Sequence, residues 1–472
     1  MSMHFSLSDK GERPTDGRAF RLLVIGDFSG RSSRGVVEPL AGRSARKVDL
    51  DSFDALPGVL GARVRLASQP AVEIPVGAFD DLHPDEIYDK AEVFGALRTL
   101  RTRAADPGAF ERVAEEVRAW ASEGALGGSP ASQIEPKPSS TATPESEFAA
   151  LLGGSVERGR SRAAATVDSL IRRIVAPHVV PDRNPRQDEL LAIVEKATGD
   201  EMRSVLHDPA WMDFESAWRG LHMLVTGLEL RDDLTLSVLD ASPAELEPGA
   251  LESLLVTRPL QTAGGEPWSL IVHLHRYGED DAELLEVLAP LAHRAGAPLL
   301  SGVGPGALGV TAFEGMPDAG DFSVRPFEAL RETPAAEAVC LTAPRFLLRR
   351  PYGRGSDETE RFGFEEVGSP PAHESLLWGN GAVLVAMMLG RAFGEVGWDV
   401  QPVGGGTVDD LPVIALEDGT MVPCAEAWLS DRAASAMSDR GVTPLVSVQN
   451  RGAVKVGPLR SLAGGPLACR WG

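Results

Sequence analysis

The stretch from Leu206 to Leu221 constrains the fold more than any other part of the chain. Asp208 belongs to a residue type that caps helices, and Pro209 follows at the first helical position, where its missing N–H costs nothing. Large apolar residues then recur three and four positions apart, which places them on one side of a helix. They are Trp211, Phe214, Trp218, Leu221 and Val225. Because aromatic side chains bury roughly 150–250 Å² each, we expect this helix to anchor a core.

Length and charge limit what the chain can be. At 472 residues it is too long for one compact core, so we expect two or three domains. A hydrophobic content of 43% and a charged content of 24% are typical of soluble globular proteins. The net charge of −22 would repel nucleic acid and anionic membranes, so we expect neither as a partner.

The sequence also carries indications about location. The first residues contain no apolar run of signal-peptide length, and the longest apolar run, near residues 382–389, is too short to cross a membrane. We therefore expect no direct membrane insertion. The three cysteines, Cys340, Cys424 and Cys469, are far apart and form no CxxC motif, which predicts reduced thiols in a cytoplasmic protein.

Residues 1–121 alternate strand and helix signals and are predicted to form a first domain. Apolar or alternating runs indicate strands, and apolar residues at helical spacing indicate helices. The predicted strands are 21–26, 63–66 and 72–76, and the predicted helices run from about Pro84 to Arg103 and from Pro107 to Trp120.

Two motifs in this first domain suggest ligand sites but lack the residues that such sites need. The glycine turn from Gly26 to Ser33 follows a strand, as phosphate loops do, yet it has neither the Lys-Ser/Thr pair nor the second glycine at the required spacing. Asp49, Asp51 and Asp54 lack the later Gly and Glu of a calcium loop. For these carboxylates we expect a capped helix start instead.

Residues 122–147 are predicted to be a flexible linker. Gly, Pro, Ser and Thr dominate the segment and it contains no aromatic residue, so it cannot bury enough surface to offset the entropy of ordering.

Residues 148–472 are predicted to form a second region of α/β type (α+β mixed), with mixed sheets covered by helices. Strand and helix signals alternate, which indicates helices packed on a largely buried sheet. The predicted strands are 234–239, 268–274, 298–303, 411–416 and 445–448, and the predicted helices are 167–175, 189–206, 243–256, 281–295 and 381–393.

Two groups of side chains in this region have a functional and a structural interpretation. His273 and His275 lie on one face of a predicted strand, as a metal site would need, but no third ligand is evident. Arg345, Arg349 and Arg350 could bind an anion, yet a guanidinium forks equally well onto structural carboxylates, and we expect a structural role.

Several segments resemble, in the same order, the two contractile-sheath subunits of type VI secretion systems. Residues 18–121 are similar to the small subunit and residues 146–456 to the large subunit. The segments that carry the resemblance are LLVIGDFSGR at 22–31, VDLDSF at 48–53, FDDLHPDEI at 79–87, the 207–221 helix, LTAPRFLLRRPYG at 341–353, FGFEE at 362–366 and LWGNGA at 377–382.

The resemblance implies that both sheath subunits are fused in one polypeptide with a contractile-sheath-like fold, without cofactors or catalytic residues. Residues of the matching segments would be structural: Asp27, Phe28, Trp218, Arg219, Pro344, Arg345, Trp378 and Asn380. The implied partners are other sheath subunits, an inner tube protein, a baseplate and a sheath-recycling AAA+ unfoldase. In the family, a leucine-bearing helix near the start of the large subunit is recognised by that unfoldase, and the resemblance implies Phe148, Leu151 and Leu152 as the corresponding positions. The alternative is a plain transition from linker to helix, because the glycines at 153–154 would fray such a helix.

Three functions follow from the sequence. The first is a structural subunit that assembles around an inner tube and contracts to drive it. The similarity ends near residue 456, which implies a shortened large subunit without the strands that pair neighbouring subunits, so the second is a non-polymerising homologue that caps, nucleates or regulates the apparatus. The third is a nucleotide-binding enzyme using residues 26–33, for which the chain lacks a nucleophile–base pair, a metal-ligand set and a complete phosphate loop.

Overall fold

The structure, a computed structural model, describes residues 18–67, 71–126, 171–178, 186–313 and 322–471. Most of the predicted linker, and the segment containing Phe148, Leu151 and Leu152, lie outside the described residues. No helix within the described ranges is both long and apolar enough to cross a membrane.

The described residues contain the following strands and helices. The strands are β1 (Phe20–Gly26), β2 (Arg46–Val48), β3 (Arg63–Arg65), β4 (Glu73–Pro75), β5 (Leu234–Asp240), β6 (Leu270–Tyr277), β7 (Leu299–Val303), β8 (Val339–Ala343), β9 (Phe346–Leu347), β10 (Trp378–Gly379), β11 (Thr407–Val408), β12 (Val442–Ser447) and β13 (Val454–Val456). The helices are α1 (Arg31–Arg34), α2 (Leu50–Phe53), α3 (Leu56–Leu60), α4 (Pro84–Lys90), α5 (Glu92–Ala105), α6 (Phe110–Leu126), α7 (Gln187–Leu206), α8 (Pro209–Gly227), α9 (Pro248–Glu252), α10 (Arg258–Gln261), α11 (Ala282–Ala295), α12 (Glu328–Arg331), α13 (Ala382–Val396) and α14 (Asp431–Asp439).

A nine-stranded mixed sheet organises the molecule, with the order β11-β13-β12-β8-β7-β6-β1-β5-β2. Its six inner strands, from β12 to β5, are parallel, and antiparallel strands lie at both ends. The parallel strands follow a doubly wound order: the chain adds β5 on one side of β1 and then continues with β6 on the other side. The predicted α/β mixed fold is confirmed.

Strand β1 brings the first part of the chain into the centre of this sheet. It pairs in parallel with β5 over its whole length, from Phe20 opposite Leu234 to Gly26 opposite Asp240, and it pairs with β6 on its other side. Its alternate residues enter two cores, with Leu22 and Val24 in one and Leu23 and Ile25 in the other. Residues 20–26 therefore share their sheet and both cores with the second part of the chain.

Helices cover both faces of the sheet. Helices α8 and α13 pack on one face together with the helices of the first part of the chain, and α11 and α14 pack on the other. Helix α8 begins as predicted, since the Asp208 side chain accepts a hydrogen bond from the Ala210 N–H. All five residues of its predicted apolar stripe are buried. Helix α13 is buried nearly all round, also as predicted.

Most other predicted elements are present, among them the capped helix start at Asp49, which accepts a hydrogen bond from the Ser52 N–H. The helix predicted to run unbroken to Arg103 is wrong, because Ala91 has an extended backbone that separates α4 from α5. The two helices have different partners: α4 contacts β4 and the 79–82 turn, whereas α5 packs on α6 and α7.

Two further differences concern the second region. The strand predicted over residues 411–416 is wrong: Ala415 makes only an isolated bridge to Met421, and Pro412 has no N–H to offer a ladder. The helix predicted over 243–256 is interrupted near its start: Pro243–Glu245 form a separate 3-10 turn, and a continuous helix with a π-helical stretch at Ser253–Thr257 runs from Pro248 to Gln261.

The last residues cross the amino ends of the parallel strands. The Trp471 indole N–H donates to the Ser269 carbonyl oxygen at 2.7 Å, and its ring lies 5.2 Å from that of Phe20. Further along the same edge, the Leu462 N–H donates to the Val339 carbonyl oxygen. This end of the sheet is therefore covered by the chain itself.

Candidate functional site

Helix α8 carries a buried group of polar and charged side chains that joins it to two segments more than 120 residues later in the sequence. We call this group the charge cluster. Its members are Glu215, Arg219, Arg349, Tyr352 and Glu366. They come from the 207–221, 341–353 and 362–366 segments singled out in the sequence, and Tyr352 extends the contacts to the first part of the chain.

Arg349 lies at the centre of the charge cluster. Its Nε donates to Glu215 Oε1 at 2.7 Å, and its Nη1 and Nη2 donate to the two carboxylate oxygens of Glu366 at 2.6 and 3.0 Å. The side chains of Glu215 and Glu366 are 0% and 2% exposed. Two carboxylates thus share one guanidinium inside the core, a geometry in which each partner needs the other.

The second guanidinium balances the charge. Arg219 Nε donates to Glu215 Oε1 at 2.6 Å, so this carboxylate receives two arginines. Burial opposes ionisation of Glu215, yet the attraction of Arg349 and Arg219 outweighs it and lowers the pKa of this group. Burial likewise opposes ionisation of Glu366, but Arg349 lowers the pKa of that carboxyl to about 2. Both glutamates are therefore ionised at neutral pH and are compensated by the two arginines.

Tyr352 connects the charge cluster to the first part of the chain. Its hydroxyl accepts a hydrogen bond from Arg219 Nη2 at 2.6 Å and donates to the Leu82 carbonyl oxygen at 3.4 Å. Nearby, the Asp85 carboxylate accepts hydrogen bonds from the backbone N–H groups of Glu360 and Arg361, at 2.8 and 3.1 Å. The 349–366 segment is thus held between α8 and residues 82–85.

Trp218 makes a second connection to the first part of the chain. Its indole N–H donates to the Phe28 carbonyl oxygen at 3.0 Å, and the two rings meet edge to face at 5.3 Å. The neighbouring Asp27 carboxylate accepts hydrogen bonds from the backbone N–H groups of Arg31 and Ser32, at 2.8 and 2.7 Å. The turn that follows β1 is therefore fixed both to its own helix and to α8.

The remaining residues singled out by the resemblance lie just after β8 and in or just after β10. Arg345 forms a forked ion pair with Glu426, with Nε–Oε2 and Nη2–Oε1 distances of 3.0 and 2.6 Å, and Pro344 before it is buried and follows a cis peptide bond. Asn380 Nδ2 donates to the Leu274 and His275 carbonyl oxygens at 3.0 and 3.1 Å. The Trp378 ring stacks on His373 at 5.1 Å.

The turn that resembles a phosphate loop is occupied by the protein's own carboxylates. The backbone N–H groups of Phe28 and Ser29 donate to Asp240 Oδ1 at 2.9 and 3.0 Å. Those of Arg31 and Ser32 donate to Asp27, and the Arg31 guanidinium is paired with Asp240 at 3.2 Å. A phosphate would have to displace these partners, which argues against the nucleotide interpretation.

His273 and His275 do lie on one face of β6, with ring centroids 5.6 Å apart. His273 is buried, its Nδ1 contacts the Tyr277 hydroxyl at 3.0 Å, and burial lowers the pKa of its imidazole to about 3. Across the ranges that the structure describes, no group of three or more His, Cys, Asp or Glu residues is placed to hold a metal ion.

Sequence reasoning found part of the charge cluster. Arg219 and Arg349 were singled out from the sequence. Arg349 and its neighbour Arg345 both fork onto carboxylates, which is the contact that the structural interpretation predicts. Glu215, Tyr352 and Glu366 were missed, although each lies in a segment that carries the resemblance. For Glu215 the signal was an acidic residue beside the apolar stripe of α8, since a buried charge requires a partner.

The charges of this cluster neutralise one another inside the core, so they stabilise the packing of an α/β protein and, within the described residues, have no free group for a ligand. The chain belongs to the tail sheath family described as VipB: EvpB/VC_A0108, tail sheath N-terminal domain, whose match covers residues 188–457. It is also similar to the type VI secretion system sheath protein TssC1 of Pseudomonas aeruginosa, with 27% identity over an alignment of 340 residues; the match covers 65% of this chain and 68% of that protein.

Proposed function

We propose that the chain is a structural subunit of a type VI secretion sheath that assembles around an inner tube and contracts to drive it. The observation that carries this proposal is the match to the tail sheath family over residues 188–457, which includes every member of the charge cluster. The similarity to TssC1 supports a type VI system in particular.

We also propose that residues 1–121 act as a small subunit and residues 148–472 as a large subunit, joined by the linker. The position of β1 between β5 and β6 supports pairing of the two within one chain. A covalent connection makes such pairing intramolecular, with an effective concentration on the order of mM. The hydrogen bonds from Trp218 to Phe28 and from Tyr352 to Leu82 further support a single unit.

In this proposal the unit moves as a rigid body and the contacts between units change. Contraction is a switch between two packings of the same subunits, and it needs no chemical step. The charge cluster would keep each unit from deforming, because breaking a buried ion pair leaves uncompensated charges. Other sheath subunits are the partners that the family supports, and an inner tube protein and a baseplate would complete the apparatus.

Electron microscopy of the purified full-length chain tests the sheath function. We expect tubular particles when the chain is mixed with the inner tube protein of the same organism, and the tube protein alone is the control. Discrete particles in every mixture would contradict the proposal. Particles bound only at tube ends would instead indicate a capping protein.

Recycling by an AAA+ unfoldase is a separate proposal that rests on the resemblance at Phe148, Leu151 and Leu152. The triple substitution of these residues by Ala should abolish disassembly of contracted particles by the unfoldase while leaving assembly intact. A double substitution of the intervening residues, Ala149→Ser with Ala150→Ser, is the control. Disassembly that proceeds equally in the triple variant would contradict recognition at this segment.

A further inference from the structure

A crevice opens at the carboxyl ends of the parallel strands, opposite the edge that the last residues cover. Its volume is about 540 Å³, within the range of small-molecule sites. Strands β5, β1, β6, β7 and β8 all end near it, and it includes the place where the strand order reverses, between β1 and β6. In open α/β sheets, this is where ligands bind.

Two opposite charges line the crevice without a direct partner. Asp213, on α8, and Arg276, at the end of β6, both face it. In the part of the chain that the structure describes, neither side chain makes a hydrogen bond or an ion pair, whereas Arg345 beside them is forked onto Glu426. The Asp213 carboxylate and the Arg276 guanidinium are therefore available to pair with a ligand.

Both side chains are exposed on the wall of the crevice, where a ligand can reach them, and their partial burial shifts both pKa values. Burial raises the pKa of the Asp213 carboxyl, and the nearby arginines Arg276 and Arg345 only partly offset this effect. Burial and the repulsion from Arg345 lower the pKa of the Arg276 guanidinium. An accessible charge with a shifted pKa in a crevice is a common feature of binding sites, because a ligand can supply the missing partner.

The rest of the wall is suited to an apolar group. Phe214 and Trp378 line the crevice, as do Ala217 and Val383. Aromatic and aliphatic walls with a few polar groups that fix orientation are typical of small-molecule sites. A ligand for this crevice should combine an apolar part with one anionic and one cationic group.

We propose that the crevice binds a small zwitterion with an apolar side chain, of amino-acid or dipeptide size, whose carboxylate pairs with Arg276 and whose ammonium pairs with Asp213. The site is distinct from the charge cluster, whose arginines and glutamates are already paired with one another. This binding activity goes beyond the proposed sheath function, because a single unassembled chain already contains the whole crevice.

Calorimetry on the full chain with three probes of one skeleton tests the proposal: phenylalanine, phenethylamine, which lacks the carboxylate, and 3-phenylpropionate, which lacks the ammonium. We expect phenylalanine to bind about tenfold more tightly than either analogue, since each loses one charged hydrogen-bonded pair. Arg276→Gln should reduce phenylalanine affinity to that of phenethylamine. Asp213→Asn should reduce it to that of 3-phenylpropionate.

A control substitutes an exposed pair of the same residue types at the other end of the sheet. Arg231→Gln and Asp232→Asn, just before β5, should leave phenylalanine binding unchanged. The proposal is overturned if phenylalanine gives no signal at millimolar concentration, if either analogue binds as tightly, or if the crevice variants bind like the unchanged chain. Failure here leaves the sheath proposal standing, because tubular assembly is measured independently.

Discussion

Glu215 and Asp213 are two residues apart on α8 and have opposite environments. Glu215 is buried between Arg349 and Arg219, and burial is outweighed by these arginines, so its pKa is lowered. Asp213 faces the crevice without a direct partner, and burial raises its pKa. The same helix therefore contributes Glu215 to the charge cluster and Asp213 to the open crevice. What distinguishes them is whether the protein itself supplies the partner charge.

The largest effect should follow from removing the guanidinium at the centre of the charge cluster. Arg349→Met leaves Glu215 and Glu366 buried beside an uncharged side chain, and we expect the free energy of unfolding to fall by about 3–5 kcal/mol. Arg350→Met is the matched control, because the neighbouring Arg350 is exposed, and should change it by under about 0.5 kcal/mol. Denaturant unfolding measures both, and equal losses would contradict the assignment.

Acid should remove the contribution of the charge cluster to the free energy of unfolding. Glu366 has its pKa lowered from 4.5 to about 2, so its contribution to stability is complete above pH 4.5 and is lost as the pH falls towards 2. The amount is roughly 3 kcal/mol, by the usual conversion of a pKa difference. In Glu366→Gln this acid-dependent part should be absent, so the stability difference from the unchanged chain should shrink between pH 5 and 3.

The control for this pH series is Glu365→Gln, since Glu365 is the exposed neighbour. Its unfolding free energy should follow the same acid slope as that of the unchanged chain. A difference between Glu366→Gln and the unchanged chain that stays constant with pH would show that Glu366 does not depend on ionisation.

The Trp218 contact should have an intermediate effect. Trp218→Phe keeps a ring against Phe28 but removes the buried N–H that satisfies the Phe28 carbonyl oxygen. We expect a loss of about 1–3 kcal/mol in the free energy of unfolding. Trp398→Phe removes an indole N–H bond to the Arg18 carbonyl oxygen at the exposed edge and should cost less. A larger loss in the Trp398 variant would reverse the proposed ranking.

The smallest effect, of opposite sign, is expected at the crevice. Because burial raises the pKa of Asp213 above 3.8, ionisation of this carboxyl costs stability as the pH rises through its folded-state pKa. Asp213→Asn removes that cost, so the free energy of unfolding at pH 7 should stay equal or rise slightly. Glu215→Gln should lower it under the same conditions. A clear loss in Asp213→Asn would mean that this carboxylate has a structural partner.

Local patterns predicted much of the fold. The apolar spacing of α8, its Asp208–Pro209 start and the apolar run of β1 need only neighbours in sequence, and all three are confirmed. The break at Ala91 and the missing 411–416 strand depend on which distant element each segment contacts, and periodicity carries no such information. The insertion of β1 between β5 and β6 is a choice of strand order, which apolar runs alone do not specify.

Some members of the charge cluster could be singled out from the sequence, but which residues pair with one another could not. The guanidinium of Arg349 was expected to meet structural carboxylates, yet its partners lie 134 positions before it, at Glu215, and 17 after it, at Glu366. The chain has many acidic residues that could pair with this arginine, and the sequence does not show which two are buried beside it. Asp213 illustrates the same limit, since it has the charge of Glu215 and nearly its position in sequence.

The central claim is that the two parts of the chain fold as one unit through β1 and the contacts of the charge cluster. Cutting a protease site inserted within residues 122–147 tests it most directly, with size-exclusion chromatography and denaturant unfolding before and after the cut. We predict that both fragments elute together and unfold in one shared transition. Two fragments that separate and remain independently folded would contradict the account.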